Sequence, residues 1–267
     1  MKKMIALSLS LMLLMLAGVA LAEDSSIQAI LDKGTLVLGL DDSFPPMGYR
    51  DEAGEIVGFD IDLAEEVAAR LGVALVKQPI EWAAKELELS AGNIDCIWNG
   101  MSITPERQES MSMTFSYMFN NITFYAKKDA GFATLEDFAG KKVAVQSGSY
   151  AEELLNSDTY AELKASLGEV LAFDEYLTAL MDLNQDGVDA VLIDTVVAEF
   201  RIAGMNAENI VPVISLEDDN FGVGFRKEDV ALRDKIQDLL IEMKKDGAME
   251  TIATKWFGSD ISTIPAE

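Results

Sequence analysis

Hydrophobic and polar residues recur along this chain in two patterns, one typical of buried strands and one typical of helices. Strands are predicted where β-branched residues cluster, at residues 35–40, 142–145, 188–193 and 210–214. Longer amphipathic patterns predict helices at residues 60–71, 85–91, 176–185, 230–245 and 248–256. Strands that alternate with helices in this way predict an α/β fold.

The predicted helix at residues 60–71 has the clearest ends. Asp60 is expected to cap its start through the side chain. Gly72 suits its end, because glycine adopts the left-handed conformation without strain.

The stretch after one short apolar run contains the first candidate ligand-binding residue. Residues 94–98 predict a buried strand, and Thr104 and Pro105 suit the N-cap and first position of a helix. Arg107 then falls in the first helical turn, where the helix dipole favours anions. Its guanidinium and the free amides nearby therefore form a candidate carboxylate receptor. The alternative is a solvated surface arginine between two glutamates.

A weak internal repeat suggests two similar halves. Residues 89–97 and 183–191 share an outline of helix, glycine turn and strand. The first copy leads to residues 100–107 and the second to Asp194, and ligands bind at such strand ends in open α/β sheets. The repeat thus predicts two lobes facing a cleft, although a common way of joining helix to strand explains it equally well.

The first residues predict export. Two lysines precede the apolar segment 4–21, and Ala-Leu-Ala at residues 20–22 suits cleavage before Glu23. We predict a signal peptide at residues 1–22 and a soluble mature protein in the periplasm or extracytoplasmic space. An uncleaved anchor is the alternative, because the segment approaches the length needed to span a bilayer.

Composition excludes most catalytic chemistry. The chain has no histidine, which excludes Ser-His-Asp and Cys-His machinery and zinc sites with histidine ligands. Its one cysteine, Cys96, falls in a predicted buried strand and is expected to be a core residue. We predict no catalytic residue, no metal site and no cofactor.

Charge narrows the choice of partners. The formal charge is -25, and removal of the signal peptide makes it about two units more negative. Such a field repels nucleic acid and anionic membrane surfaces. With 49% hydrophobic residues, the chain is nevertheless expected to fold around a large core.

Seven blocks together resemble a known family, the polar amino-acid-binding proteins of ABC importers, which are solute-binding proteins of family 3 with the type II periplasmic-binding-protein fold. The blocks run in family order: GTLVLG at 34–39, FPPM at 44–47, GFDIDLA at 58–64, GMSITPER at 100–107, FS at 115–116, GKKVAV at 140–145 and KWFG at 255–258. Each block is weak alone, and their combination after a signal peptide is specific for the family.

The resemblance implies two α/β lobes that close over one amino acid. The first lobe would comprise residues 27–121 plus 221–261 and the second residues 122–220, with crossings near 121–124 and 217–221. The expected partners are the amino-acid ligand and the membrane permease of an ABC importer, and the protein is expected to be a monomer.

The resemblance also implies roles for the residues that hold the ligand head group. Arg107 resembles the arginine that grips the α-carboxylate, assisted by Gly100, Ser102 and the turn with Ser149 and Tyr150. Asp194 resembles the acidic residue that accepts from the α-ammonium group. The alternative for Asp194 is a helix cap.

The ligand side chain would meet a mixed pocket. Asp41, Phe44, Trp82 and Gln146 match pocket positions of the family, and they favour a polar neutral or cationic side chain. As alternatives, both aromatic residues are ordinary core, Asp41 stabilises a turn and Gln146 is exposed.

Two other functions use the same scaffold. An enzyme, such as a dehydratase or a peptidoglycan lyase, would need a pocket acid or base, for which Asp41, Glu81 and Glu175 are available. A protein that presents its ligand to a sensory receptor would use the same pocket as a transport protein.

Overall fold

The computed structural model of the protein describes residues 24–265. The predicted signal peptide lies outside the described residues and stays a prediction. Residues 24–265 form ten α-helices and twelve strands. None of these helices is both long enough and apolar enough to cross a membrane.

The twelve strands form one large and one small sheet. Their bounds are β1 Thr35–Leu40, β2 Ser43–Phe44, β3 Gly48–Arg50, β4 Ile56–Val57, β5 Ala74–Pro79, β6 Cys96–Ser102, β7 Ser112–Met113, β8 Met118–Lys127, β9 Lys142–Gln146, β10 Glu169–Phe173, β11 Ala190–Asp194 and β12 Ile210–Phe225. The large sheet has the order β10-β9-β11-β8-β12-β6-β1-β5, with β7 paired to β12, and the small sheet has the order β2-β3-β4.

The two halves of the large sheet share one design. β1 lies between β5 and β6 and is parallel to both. β9 lies between β10 and β11 and is also parallel to both. Parallel strands point the same way, so the carboxyl ends within each half lie along one edge. This is the α/β architecture that the sequence predicts.

Two long antiparallel strands join the halves. β8 and β12 pair from Lys127 with Ile210 to Met118 with Phe221. Beyond that point β12 pairs with β6 of the other half. The predicted crossings at residues 121–124 and 217–221 lie on these two strands, and the lobe boundaries assigned from the sequence stay a proposal.

The helices cover the sheet. Their bounds are α1 Ser26–Lys33, α2 Phe59–Leu71, α3 Lys85–Ser90, α4 Pro105–Ser110, α5 Tyr150–Asn156, α6 Ala161–Ser166, α7 Tyr176–Asn184, α8 Thr195–Met205, α9 Val230–Asp246 and α10 Ala248–Phe257. The helices predicted at residues 85–91, 176–185, 230–245 and 248–256 occur as α3, α7, α9 and α10, each with the predicted start and an end within one residue.

The predicted capping role of Asp60 is wrong. α2 begins at Phe59, and Asp60 is fully buried inside its first turn. Its carboxylate accepts the backbone N–H of Gly100 at 2.7 Å and the hydroxyl of Tyr117 at 2.8 Å. Burial raises the pKa of Asp60 to about 7. The side chain therefore ties α2 to β6 instead of closing the helix end, whereas Gly72 ends α2 in the left-handed conformation as expected.

Candidate functional site

The polar residues that the sequence selected lie at four strand ends. Asp41 follows β1, and Ser102 ends β6. Gln146 ends β9, and Asp194 ends β11. The first two strands belong to one half of the sheet and the last two to the other, so the strand ends face each other across a cleft.

A narrow cavity lies in this cleft. Its volume is about 220 Å³, part of it open to solvent. Its lining consists of Phe44, Trp82, Gly100, Ser102, Arg107, Gln146, Ser149, Tyr150 and Asp194. All nine are residues predicted for the ligand site, and the tenth, Asp41, lies behind Gln146 in hydrogen-bond contact with it.

The guanidinium of Arg107 forms one wall of the cavity. As predicted, Pro105 opens α4, and the hydroxyl of Thr104 accepts the backbone N–H of Arg107 at 3.2 Å. Nη1 of Arg107 donates to the Ser102 carbonyl oxygen at 3.0 Å, and the side chain is only 3% exposed. Its Nε has no hydrogen-bond partner within residues 24–265. Arg107 is thus a buried cation with donors to spare, which excludes a solvated surface position.

Gly100 lets β6 pack closely against the ring of Phe44. Its φ is +58°, a conformation that favours glycine. A Cβ at this position would lie 2.8 Å from the ring of Phe44. A larger residue would therefore strain the backbone and displace the Phe44 ring.

Asp194 brings a buried carboxylate to the same cavity. Asn120 Nδ2 donates to Asp194 Oδ1 at 2.8 Å and to Asp219 Oδ2 at 3.0 Å. Burial first, and then the nearby Asp219 carboxylate, raise the pKa of Asp194 to about 8. A cationic group in the cavity would favour the ionised form. Asp194 is the N-cap residue of α8, as the helix-cap alternative has it, but its side chain makes no capping bond and is left for the cavity.

The opposite end of the cavity is aromatic and acidic. The rings of Phe44 and Trp82 are stacked, with centroids 6.5 Å apart and planes 10° apart. Gln146, which is buried, donates from Nε2 to Asp41 Oδ2 at 2.7 Å. Burial raises the pKa of Asp41 to about 6, opposed by this hydrogen bond. Asp41 is thus a carboxylate behind Gln146 that is mostly ionised at neutral pH. Its Oδ1 accepts the backbone N–H of Ser43 at 2.8 Å, so it also stabilises a turn.

Lys85 and Glu153 reach the site although the sequence analysis did not select them. Lys85 Nζ donates to the Gly148 carbonyl oxygen at 2.8 Å and lies 5.1 Å from the centre of the Trp82 ring. Glu153 Oε1 lies 2.6 Å from Arg107 Nη2. Both lie in helical segments rich in charged residues, where side chains are expected to be solvated. Their place at the site is therefore visible only once one lobe packs on the other.

A further arginine lies near the acidic end. Arg201 Nη2 donates to the carbonyl oxygen of Ser43 at 2.8 Å, and the Ser43 hydroxyl donates to Glu175 Oε2 at 3.0 Å. These bonds connect the β2 region to α8 and to the start of α7. From the sequence, Glu175 is only an available acid and Arg201 is not predicted, because nothing in the local pattern places α8 against β2.

The chain matches the family model of bacterial extracellular solute-binding proteins, family 3, over residues 36–259. It is 28% identical over 243 residues to the L-cystine-binding protein TcyJ of Escherichia coli strain K12, and the match covers 90% of this chain and 89% of the relative.

Two solved structures are also similar. An ABC uptake transporter substrate-binding protein from Streptococcus pneumoniae with bound histidine has a TM-score of 0.86 and 35% identity, and the match covers 91% of this chain and 99% of that one. The ancestral amino acid-binding protein AncCDT-1, described as a precursor of cyclohexadienyl dehydratase, has a TM-score of 0.78 and 31% identity, with coverages of 87% and 100%.

Proposed function

Because the chain belongs to the bacterial extracellular solute-binding proteins of family 3, we propose that it captures a polar L-amino acid outside the cytoplasm and delivers it to an ABC importer. The observation that carries this proposal is the presence of Arg107 and Asp194 in one cavity. A buried guanidinium and a buried carboxylate complement the two charges of an amino-acid head group.

The head group would lie between the two lobes. Its α-carboxylate takes the free donors of Arg107, with the hydroxyls of Ser102 and Ser149 lining the same cavity. Its α-ammonium group donates to Asp194. Each charge of the ligand then loses water only where an opposite charge replaces it, which limits the cost of desolvation.

The far end of the cavity favours a neutral polar or a cationic side chain. The stacked rings of Phe44 and Trp82 can pack the aliphatic part of the ligand. Gln146 offers its amide to the end of the ligand side chain, and Asp41 behind it supplies a negative charge that favours a donor there. The relative named for cystine and the similar structure with bound histidine agree with a polar amino-acid ligand.

Capture would depend on lobe closure. Side chains of both halves of the molecule form the cavity walls, so an amino acid enters when the halves separate and is enclosed when they close. β8 and β12 are the segments whose bending would change the angle between the halves. The closed form would present the ligand to the membrane permease, and the protein would act as a monomer.

Thermal unfolding of residues 23–267, stripped of ligand, tests this proposal. The panel contains the common L-amino acids together with cystine, ornithine and citrulline. A ligand that binds the native state raises the unfolding midpoint. A selective rise, confirmed by calorimetry, supports the proposal, and a panel without any rise contradicts it.

An enzyme is the second candidate, because one similar structure is described as a precursor of a dehydratase. The same purified protein would be incubated with each ligand that raises the midpoint, and the mixture followed by mass spectrometry. We expect the ligand to be recovered unchanged. Its conversion to a product would favour the enzyme.

A further inference from the structure

The carboxylate end of the cavity is the end where Arg107 would bind the ligand carboxylate. Arg107 already has one carboxylate partner there, which the protein itself supplies. Glu153 Oε1 accepts from Arg107 Nη2 at 2.6 Å. Arg107 precedes the crossing strand β8 in the chain, whereas Glu153 lies on α5, which follows β9 in the other half of the sheet. This ion pair therefore forms between the two halves and breaks when they separate.

Glu153 approaches Arg107 from outside the cavity. It is absent from the residues that line the cavity, and it lines a groove on the outer surface together with Pro105, Glu106 and Tyr160. Its side chain is 37% exposed, whereas that of Arg107 is 3% exposed. A guanidinium has five N–H donors, and Ser102 and Glu153 accept from two of its nitrogen atoms. The remaining donors, including Nε, are left for a ligand carboxylate.

Two cations of the protein lie near this end of the cavity, together with several carboxylates. Arg107 and Lys85 bring two positive charges, and burial, with the nearby Arg107 charge, lowers the pKa of Lys85 to about 8. Asp194 and Asp219 also lie close enough to Arg107 to interact with its charge. Glu153 is the carboxylate that bonds to the Arg107 guanidinium, and its charge also favours the charged form of Lys85. Without Glu153, Nη2 of Arg107 would lose this charged partner in the closed form, which is costly in a region with little water.

We propose that Glu153 is a positioning residue for carboxylate recognition. It holds the outer edge of the Arg107 guanidinium and stabilises the closed form, so it slows the release of the amino acid without touching it. This inference rests on the proposed amino-acid-binding function.

The test compares Glu153→Gln with Glu106→Gln. Glu106 is exposed, adjoins Arg107 in sequence and makes no ion pair within residues 24–265, so the control removes the same charge without breaking a bond. Dissociation constants of the ligand found in the thermal screen are measured by calorimetry, and dissociation rates by stopped-flow tryptophan fluorescence, at low and at high salt.

We expect Glu153→Gln to raise the dissociation constant about 3- to 10-fold, mainly through the dissociation rate, because the pair is partly screened by solvent. Glu106→Gln should change it less than about twofold. The wild-type rate should increase with salt more steeply than the Glu153→Gln rate, because salt screens ion pairs. A merely structural residue would not produce this difference.

Two outcomes overturn the inference. Unchanged affinity in Glu153→Gln would show that the pair does not support the closed form, and tighter binding would show that Glu153 competes with the ligand carboxylate. Glu153→Asp, which keeps the charge on a shorter side chain, should lie between the wild type and Glu153→Gln. If the wild type bound no amino acid, the proposed function itself would fail, which is a separate result.

Discussion

The two ends of the cavity are built differently. At the carboxylate end, Arg107 is positioned by local structure before Glu153 of the other lobe is added: its helix is capped by Thr104, and its guanidinium donates to the Ser102 carbonyl oxygen five residues earlier. At the side-chain end, the bond between Asp41 and Gln146 joins residues 105 positions apart in the chain. The first arrangement can form within one lobe, whereas the second exists only when the two lobes meet.

This difference suggests how recognition is divided. The locally built end would bind the α-carboxylate, which all amino acids share. The end built from side-chain contacts between lobes can change its partners without disturbing the backbone, so it is where a preference for one amino acid would arise. Substitutions at the first end should therefore affect every ligand, and those at the second should affect some ligands more than others.

The largest effect is expected from Arg107→Ala. It removes the cation that would meet the α-carboxylate, and the affinity for every amino acid should fall more than about 100-fold, on the order of 3 kcal/mol. Calorimetry measures the affinity. Arg70→Ala, which removes an arginine paired with Glu66 on α2 and with Asp246 on α9 and absent from the cavity lining, is the control and should bind normally. Unchanged affinity in Arg107→Ala would refute the carboxylate assignment.

Asp194→Asn should lower affinity about 10- to 100-fold, because the ammonium group loses its anionic partner. The pKa of Asp194 is raised to about 8 before binding, so the carboxyl group holds a proton at pH 6 to 7 and must lose it to pair with the ligand. Wild-type affinity should therefore fall as pH is lowered from 8 to 6, by at most about tenfold per pH unit.

Calorimetry across this pH range checks that prediction. In Asp194→Asn the dependence on pH should be much flatter. Equal slopes in the two proteins would mean that another group takes up the proton.

Asp41→Asn should change selectivity more than affinity. With its pKa raised only to about 6, Asp41 is mostly ionised at pH 7. Removal of this charge should lower the affinity for arginine or ornithine about tenfold. The affinity for glutamine as a ligand should fall less than about threefold, since the amide of the introduced asparagine can replace part of the hydrogen bonding. Competition measurements against one labelled ligand give these ratios, and Asp42→Asn at the neighbouring exposed ion pair is the control. Equal losses for both classes would contradict the proposed division between the two ends.

The smallest effect is expected from Lys85→Met. Methionine keeps most of the apolar stem and removes the ammonium group that donates to Gly148 and lies beside Trp82. Release of every ligand should become about two- to fivefold faster, since one bond between the lobes is lost. Stopped-flow fluorescence measures the rate, and Lys77→Met on β5 is the control. A selective effect on one ligand would place Lys85 at the side-chain end instead.

The sequence predicted much of this molecule. The family, the α/β two-lobe fold and the amino-acid-binding function are confirmed by the family match and the similar structures. β1 and most of the predicted helices are correct because their periodicity matches their final burial. The roles of the ten selected residues, the lobe boundaries and the permease partner stay predictions, although nine of the ten residues do line one cavity.

The failures share a physical cause. Asp60 has the residue type and position of a helix cap, and its actual partners, Gly100 and Tyr117, lie 40 and 57 residues away. Glu153 and Arg201 look like solvated charges on helices, and each meets its partner on the other side of the cleft. Local patterns report capping and amphipathicity, whereas these contacts depend on how distant segments pack.

The most direct test of the central claim, that the amino-acid head group is held as a zwitterion between the lobes, is a parallel calorimetric titration. The best ligand from the thermal screen and its α-carboxamide are titrated into the same protein. The amide keeps the side chain and the α-amino group but lacks the carboxylate charge that Arg107 would meet. We predict at least about 100-fold weaker binding of the amide. Equal affinities would contradict the account, because the ligand would then be held by groups other than its carboxylate.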